Sequence, residues 1–324
     1  MKTLFVCALV FAFGLPAAPG QQSVVDFARR DTSVHDPSTI VKCNGEYWLF
    51  ATGRGIMSRH SKDLRQWSAG PVVFSNVPAW TTNTIKANHG HFWAPDVFYL
   101  TNRYLLYYAV SSWGKRDSAI GLATNPTLDP ADPAYQWTDC GPVIRTTEQD
   151  DCNAIDPAVI QCPDGQLWLA FGSYWTGIKL IQLNPLTGLR AATNSPVFSL
   201  AWHESIEASY VHWHDGYYYL FVNWGQCCRG IRSTYTIKIG RSREVVGPYL
   251  DKDGVDMLHD GGSLFLKTAG AFVGPGHAGI VSAGDKDWLS CHFYNGASNG
   301  IPTLGILPLR WNPDGWPEAE LPPN

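Results

Sequence analysis

The sequence predicts an all-β fold, a five-bladed β-propeller in a single domain, on three observations. A tight turn followed by an aromatic-rich strand occurs five times. The turn residues are those that hairpins require, and no long stretch carries helical periodicity. The five units, in order, are NGEYWLFAT from Asn44, TNRYLLYYAV from Thr101, DGQLWLAFGS from Asp164, DGYYYLFVNW from Asp215 and DKDWLSCHFYN from Asp285. They recur at intervals of about fifty to seventy residues, near the length of a four-stranded blade. Asn-Gly and Asp-Gly suit two-residue hairpins because both central residues take positive φ. Short β-branched runs precede the turns, as in STIVK, PAVIQ and SYVHW, so each unit holds at least one hairpin. The 31 glycines and 22 prolines fall between the strands. Five similar antiparallel units do not bury their own faces alone; packed around an axis they do, leaving only short edges. A two-sheet sandwich also explains many strands, but not a repeated unit.

Composition bounds the rest. Aromatics make up 13% of the 324 residues and charged residues 16%, which allows a sizeable core. The formal net charge is -4 and no run of lysine or arginine occurs, so nucleic acid and anionic membranes are poor partners. Residues 1–20 read as a secretory signal peptide: Lys2, an apolar stretch from Leu4 to Leu15, and small residues before a cleavage site near Ala18 or Gly20. The catalytic domain is expected over 21–324, secreted and monomeric. No later run is long and apolar enough to cross a membrane as a helix. Seven cysteines follow the signal, an odd number, so at least one is free or pairs between chains. Cys227 and Cys228 are adjacent: oxidised, they close an eight-membered ring that stiffens their loop; reduced, they are two thiols.

Three carboxylates share one spacing. Asp36 lies nine residues before Gly45, Asp156 nine before Gly165 and Glu207 nine before Gly216. Equal offsets in equivalent units put the side chains at equivalent places, at the start of the innermost strands, where blades converge on one mouth of the channel. One acid of this kind is more simply a turn cap. Three crowded acids repel each other, so nothing structural favours the set. Glycoside hydrolysis does need convergent carboxylates: a protonated one for the leaving oxygen, an ionised one for water or for attack.

The motifs HDPS at 35–38, WAPDV at 93–97, AIDPAV at 154–159, GSYWTGI at 172–178, IEASYV at 206–211 and GPGHAGI at 274–280 resemble glycoside hydrolase family 43, most of all its arabinanases. The resemblance runs in order over nearly all of the chain after the signal. It implies a five-bladed propeller and an inverting enzyme, with Asp36 as general base, Glu207 as general acid and Asp156 as the third carboxylate that raises the acid's pKa. The acid motif reads Glu-Ala-Ser where the family often has Glu-Ala-Pro or Glu-Gly-Pro, a change of local strand geometry. The resemblance also puts His277 on the channel axis, holding a calcium or sodium ion completed by water. GPGHAG also satisfies GxGxxG, but no helix-forming stretch or βαβ unit surrounds it.

Trp93 and Trp175, on loops at the expected mouth, are candidate sugar platforms, since an indole stacks on a furanose C–H face. His35, Asn153 and Ser173 are candidate hydrogen-bonding partners of substrate or of the acids. Asp96 is a candidate to hold either its loop or the substrate. The implied substrate is α-1,5-linked L-arabinan, cut internally. An exo-acting arabinofuranosidase or β-xylosidase of the same family is the alternative, though the chain ends soon after the fifth repeat, which favours an arabinanase. A carbohydrate-binding propeller without catalysis is the alternative of another class, and it predicts loss of an acid.

Overall fold

A computed structural model describes residues 32–321; the segment read as a signal peptide lies outside the described residues. The first blade holds β1 (Val41–Cys43) and β2 (Glu46–Ala51). A two-residue strand β3 (Gly53–Arg54) crosses to the next sheet before β4 (Met57–Ser61) and β5 (Ser68–Ala69) complete the first. A short helix, α1 (Ala79–Thr84), leads to the second blade: β6 (His91–Leu100), β7 (Arg103–Ser111), β8 (Ser118–Asn125) and β9 (Thr138–Thr146). The third is β10 (Ala158–Gln161), β11 (Leu167–Phe171), β12 (Ile178–Leu183) and β13 (Val197–Ala201). The fourth is β14 (Ile206–His214), β15 (Tyr217–Trp224), β16 (Thr236–Ser242) and β17 (Ser263–Leu266). The fifth is β18 (Phe272–Ala283), β19 (Lys286–Asn295), β20 (Ile301–Trp311) and β21 (Pro317–Ala319). Every blade is an antiparallel meander, so the expected five-bladed propeller is the fold.

The predicted turns lie where the first two strands of each blade meet. Asn44 and Gly45 have φ of 48° and 82°, and Asp215 and Gly216 have 45° and 81°, both as a type I′ hairpin requires. The strand after each turn is buried on both faces, which is why these strands read as unbroken apolar runs. The core is accordingly five wedges, one between each pair of neighbouring blades. Phe50 and Ile56 meet Phe92 and Leu106; Tyr107 and Leu122 meet Leu169 and Phe171; Ala170 and Leu180 meet Leu220 and Val222. Phe221 and Ile239 meet Phe272 and Phe293, and Leu49 and Trp67 meet Val281 and Leu304. Ring closure is made by the start of the described chain: Ser33 bridges to Thr303, and Val34 N–H donates to the Pro302 carbonyl at 3.1 Å.

Each inner segment carries one non-glycine residue in the left-handed region: Asp36 (49°), Ala94 (36°), Asp156 (54°), Ala208 (53°) and His277 (60°). Such a residue bends the strand, breaks its ladder and leaves backbone donors unpaired. Side chains of the preceding blade take four of these donors. Ala94 N–H donates to Thr52 Oγ1 at 2.8 Å and Ala208 N–H to Asp156 Oδ2 at 3.0 Å. His277 N–H donates to Asn223 Oδ1 at 3.0 Å and Asp36 N–H to His292 Nδ1 at 3.1 Å. Thr52, Asn223 and His292 each lie eight residues past the first residue of their hairpin turn; the same place in blades two and three is Ala109 and Gly172. The blade with glycine there uses its own aspartate, Asp156, as the latch.

Asp96 is a second brace. It is buried, and its Oδ1 accepts Thr39 N–H at 2.9 Å while Oδ2 accepts Val159 N–H at 2.8 Å, so one carboxylate ties the second blade to the first and third. Asp96→Ala leaves two buried N–H groups without acceptors. It should lower unfolding stability by about 2–5 kcal/mol, read from the urea midpoint at constant slope. An unchanged midpoint would show that the brace contributes nothing.

Candidate active site

The left-handed residues set where the acids point. Asp36 and Asp156 occupy that position themselves, as does His277 in the fifth blade. Glu207 does not: it precedes the left-handed Ala208 and pairs with Asn223, as Trp93 pairs with Ala109 and Gly276 with His292. The common offset of nine therefore places the three acids less uniformly than the spacing implies. From bulge to turn is eight residues in blades one and three and seven in two, four and five, so the extra residue in the first two compensates for the shift of Glu207. Glu207 is level with His35 rather than with Asp36.

The three carboxylates share one pit, and their surroundings drive them apart. Burial alone would raise the pKa of Asp36. His35 and His277 outweigh it: His35 Nδ1 lies 2.7 Å from Oδ2 and His277 Nδ1 lies 3.5 Å from Oδ1, and together they hold the carboxyl well below its ordinary value. Thr52 Oγ1 donates to Oδ2 at 2.6 Å as well. Burial lowers the pKa of both histidines, but the Asp36 charge overcomes it and both end raised. His292, fully buried and stacked on His35 at 4.3 Å, is held neutral by burial and by the neighbouring His35 charge. Burial pushes Asp156 up to about 6, with His277 opposing and the Asp36 charge adding. Burial and then the Asp156 charge push Glu207 up to about 8 from an ordinary 4.5, against a hydrogen bond donated by the Tyr235 hydroxyl to Oε1. Asp36 is thus held ionised and Glu207 protonated at neutral pH, the pair of states that acid–base chemistry needs.

A cleft of about 500 Å³ opens over Glu207, across the loops of blades two, three and four. Trp93 and Trp175 line it, as the sequence suggested, and so do Asn153 and Ser173. The last two fix one another: Asn153 Nδ2 donates to Ser173 Oγ at 2.8 Å and Ser173 N–H donates to Asn153 Oδ1 at 2.8 Å. His35 lies against Asp36, outside the cleft wall, and Asp96 lies away from the cleft with both oxygens occupied by backbone. Sequence reasoning missed Thr52, Asn223, His292, Tyr235 and Tyr294, and also Trp113, which is 74% exposed and packs edge-on to Trp93. The latch residues Thr52, Asn223 and His292 carried a signal: polar residues at one offset from their turns. Gly276 is glycine because a Cβ there would run into the Tyr235 ring that reaches Glu207.

A protonated carboxylate opening on a sugar-sized cleft walled by indoles, with an ionised carboxylate beside it in the pit, is the arrangement of a glycoside hydrolase. Comparison with known proteins places it further: the chain belongs to the glycosyl hydrolases family 43, whose pattern matches residues 31–317. It is 42% identical to an extracellular exo-α-(1→5)-L-arabinofuranosidase of Cellvibrio japonicus, over 90% of this chain and 87% of the relative. It is 38% identical to an extracellular endo-α-(1→5)-L-arabinanase of Bacillus subtilis, over 88% of this chain and 87% of the relative. The structure of Cellvibrio cellulosa α-L-arabinanase complexed with arabinohexaose superposes with a TM-score of 0.85 at 40% identity, covering 90% of this chain and 96% of that one.

The raised Glu207 pKa has a consequence for stability. The fold favours the protonated form, so the group's contribution is fully present below the unfolded value near 4.5 and is lost as pH rises through about 8. Glu207→Gln does not ionise. Its melting temperature relative to the native chain should therefore rise across that window and then level off. A difference independent of pH would mean that Glu207 is not held protonated.

Proposed function

We propose that the chain hydrolyses α-1,5-linked L-arabinan, cutting within the polymer and inverting the anomeric centre. The observation that carries this is the opposite tuning of Asp36 and Glu207 in one pit; the relatives, named for α-(1→5)-arabinan hydrolysis and extracellular, support the substrate and export. Water attacks the anomeric carbon and gives its proton to Asp36. Glu207 gives its proton to the departing glycosidic oxygen as the C–O bond breaks. The Asp156 charge keeps Glu207 protonated beforehand, and the Tyr235 hydroxyl holds the carboxylate that remains. Trp93, Trp113 and Trp175 offer stacking faces for furanose rings along the cleft. Exo action is the second reading, favoured by the Cellvibrio japonicus relative. Products from linear arabinan separate the two: mixed oligosaccharides from internal cuts, one small product from terminal ones.

A cation on the axis fits the pit. Asp156 and Glu207 are both pushed up by burial and then by neighbouring negative charge, and His277, losing its ring proton, would offer an imidazole nitrogen that with water would hold a calcium or sodium ion there. Bound, the ion supplies electrostatic relief to the three carboxylates. Exhaustive chelation should lower the melting temperature, restored by adding calcium or sodium back. Metal-free protein with an unmoved melting curve would leave His277 as an ion-pair partner of Asp36 only.

Acid and base roles separate by substrate. Glu207→Gln should lower turnover of arabinan by about 10²–10⁴-fold and spare aryl arabino-oligosaccharides with a nitrophenolate leaving group, which needs little protonation. Asp36→Asn should lower both alike, because water attack is common to both. Asp156→Asn should move the alkaline limb of the rate profile to lower pH, since Glu207 loses a neighbouring charge. Equal damage by Glu207→Gln on both substrates reverses or refutes the assignment.

A further inference from the structure

The adjacent cysteines form a disulfide, Cys227–Cys228, in the loop between β15 and β16. The loop is pinched at its foot, where Gln226 N–H donates to Thr234 Oγ1 and Thr234 N–H to the Gln226 carbonyl, both at 3.0 Å. Its tip carries the disulfide and reaches two other blades. Cys228 N–H donates to the Tyr294 hydroxyl at 2.6 Å, and Cys228 Sγ lies 3.7 Å from His35 Nε2. The Tyr294 hydroxyl is 2.8 Å from the same His35 Nε2, and His35 Nδ1 is 2.7 Å from Asp36 Oδ2. Immediately after the pinch comes Tyr235, the partner of Glu207. One loop thus touches the supports of both the base and the acid.

A disulfide between neighbours closes the smallest possible loop, so its effect on global stability through chain entropy is small. Its effect is local: it locks the backbone of a tip whose Gln226, Cys228 and Arg229 are exposed. The other described cysteines, Cys43, Cys140, Cys152, Cys162 and Cys291, are free thiols. On the reading of the site given above, we propose that the Cys227–Cys228 disulfide is a positioning element for the general base. It keeps Cys228 N–H on the Tyr294 oxygen. That fixes the Tyr294 oxygen 2.8 Å from His35 Nε2 and so aims His35 Nδ1 at Asp36. Tyr294 is a positioning residue in the same chain of contacts.

The test uses the full chain in four forms: native, Cys227→Ser with Cys228→Ser, Tyr294→Phe, and all three changes together. Native protein reduced with a phosphine and then reoxidised guards against misfolding of the serine variant. The measurements are kcat and KM on linear arabinan, the melting temperature, and the ring-nitrogen NMR signals of His35 at alkaline pH, which report its tautomer. The expected result is a fall in kcat of roughly tenfold with KM within about twofold and little change in melting. The triple variant should be no more than about twofold worse than Tyr294→Phe alone, because both act through one hydroxyl. Reduction should reproduce the loss and reoxidation reverse it. Unchanged kcat, independent losses that multiply, or a melting loss that accounts for the activity loss would overturn the proposal. If the native chain leaves arabinan intact, the substrate reading fails instead. The His35 signals then decide: a tautomer indifferent to reduction refutes the positioning role, and one that becomes mixed supports it.

Discussion

The hydrogen bond from a left-handed inner residue to a side chain of the blade before it is the constraint on which the rest of this structure depends. A non-glycine residue in that conformation costs about 1–3 kcal/mol, and a buried N–H left unpaired costs about as much again. The bend is worth having because it turns side chains into the channel mouth. It is tolerable only where an acceptor waits next door. Thr52, Asp156, Asn223 and His292 are those acceptors, and each ties one blade to the next. Two of them also serve the carboxylates: Thr52 donates to Asp36, and Asp156 is itself an acid of the pit. Ring closure and the chemistry of the site therefore share atoms, and a change to one is a change to the other.

Within a pit of a few ångströms the same burial acts on all three acids, yet Asp36 ends far below its ordinary value while Asp156 and Glu207 end above theirs. The difference lies in cations. His35 and His277 both face Asp36, and His292, held neutral, accepts the Asp36 N–H without adding charge of its own. Glu207 has a hydrogen bond from a phenol and a weaker pull from the His277 charge, which together do not offset burial and the Asp156 charge. Opposite charge beats desolvation on one side, and desolvation with like charge wins on the other. Neither acid needs an unusual side chain for its role; it needs the correct neighbours.

Much of this was legible in the sequence. The five turn–strand units and their order follow from turn chemistry and apolar runs, both local signals, and the blades are where those signals place them. The acids were found by spacing, but spacing alone misaligned Glu207, because a bulge one residue out of step has no signature in composition. Thr52, Asn223 and His292 could have been found by asking why a polar residue recurs at the same offset from three of the turns. Tyr235 and Tyr294 could not, being two among 14 tyrosines whose meaning comes from contacts with residues far along the chain. Asp96 was read as a residue for a loop or for the substrate; burial and two backbone donors make it a brace, and burial is not written in a single residue.

The two halves of the site also differ in how far apart in sequence their parts lie. Glu207 meets its hydrogen-bonding phenol locally: Tyr235 follows it by 28 residues, within one blade. The base is assembled across the whole chain. Its supports His292 and Tyr294 lie 256 and 259 residues from their partners, Asp36 and His35, and belong to the blade that the start of the described chain must join. Non-local contacts of this length are the costly ones to form, since loop closure precedes any return from the contact. A chain with four blades in place and the ring still open would have Glu207 beside Tyr235 but Asp36 and His35 without His292 and Tyr294. The burden of holding the base falls on contacts between the first and fifth blades, which is where the Tyr294 hydroxyl and the disulfide loop lie.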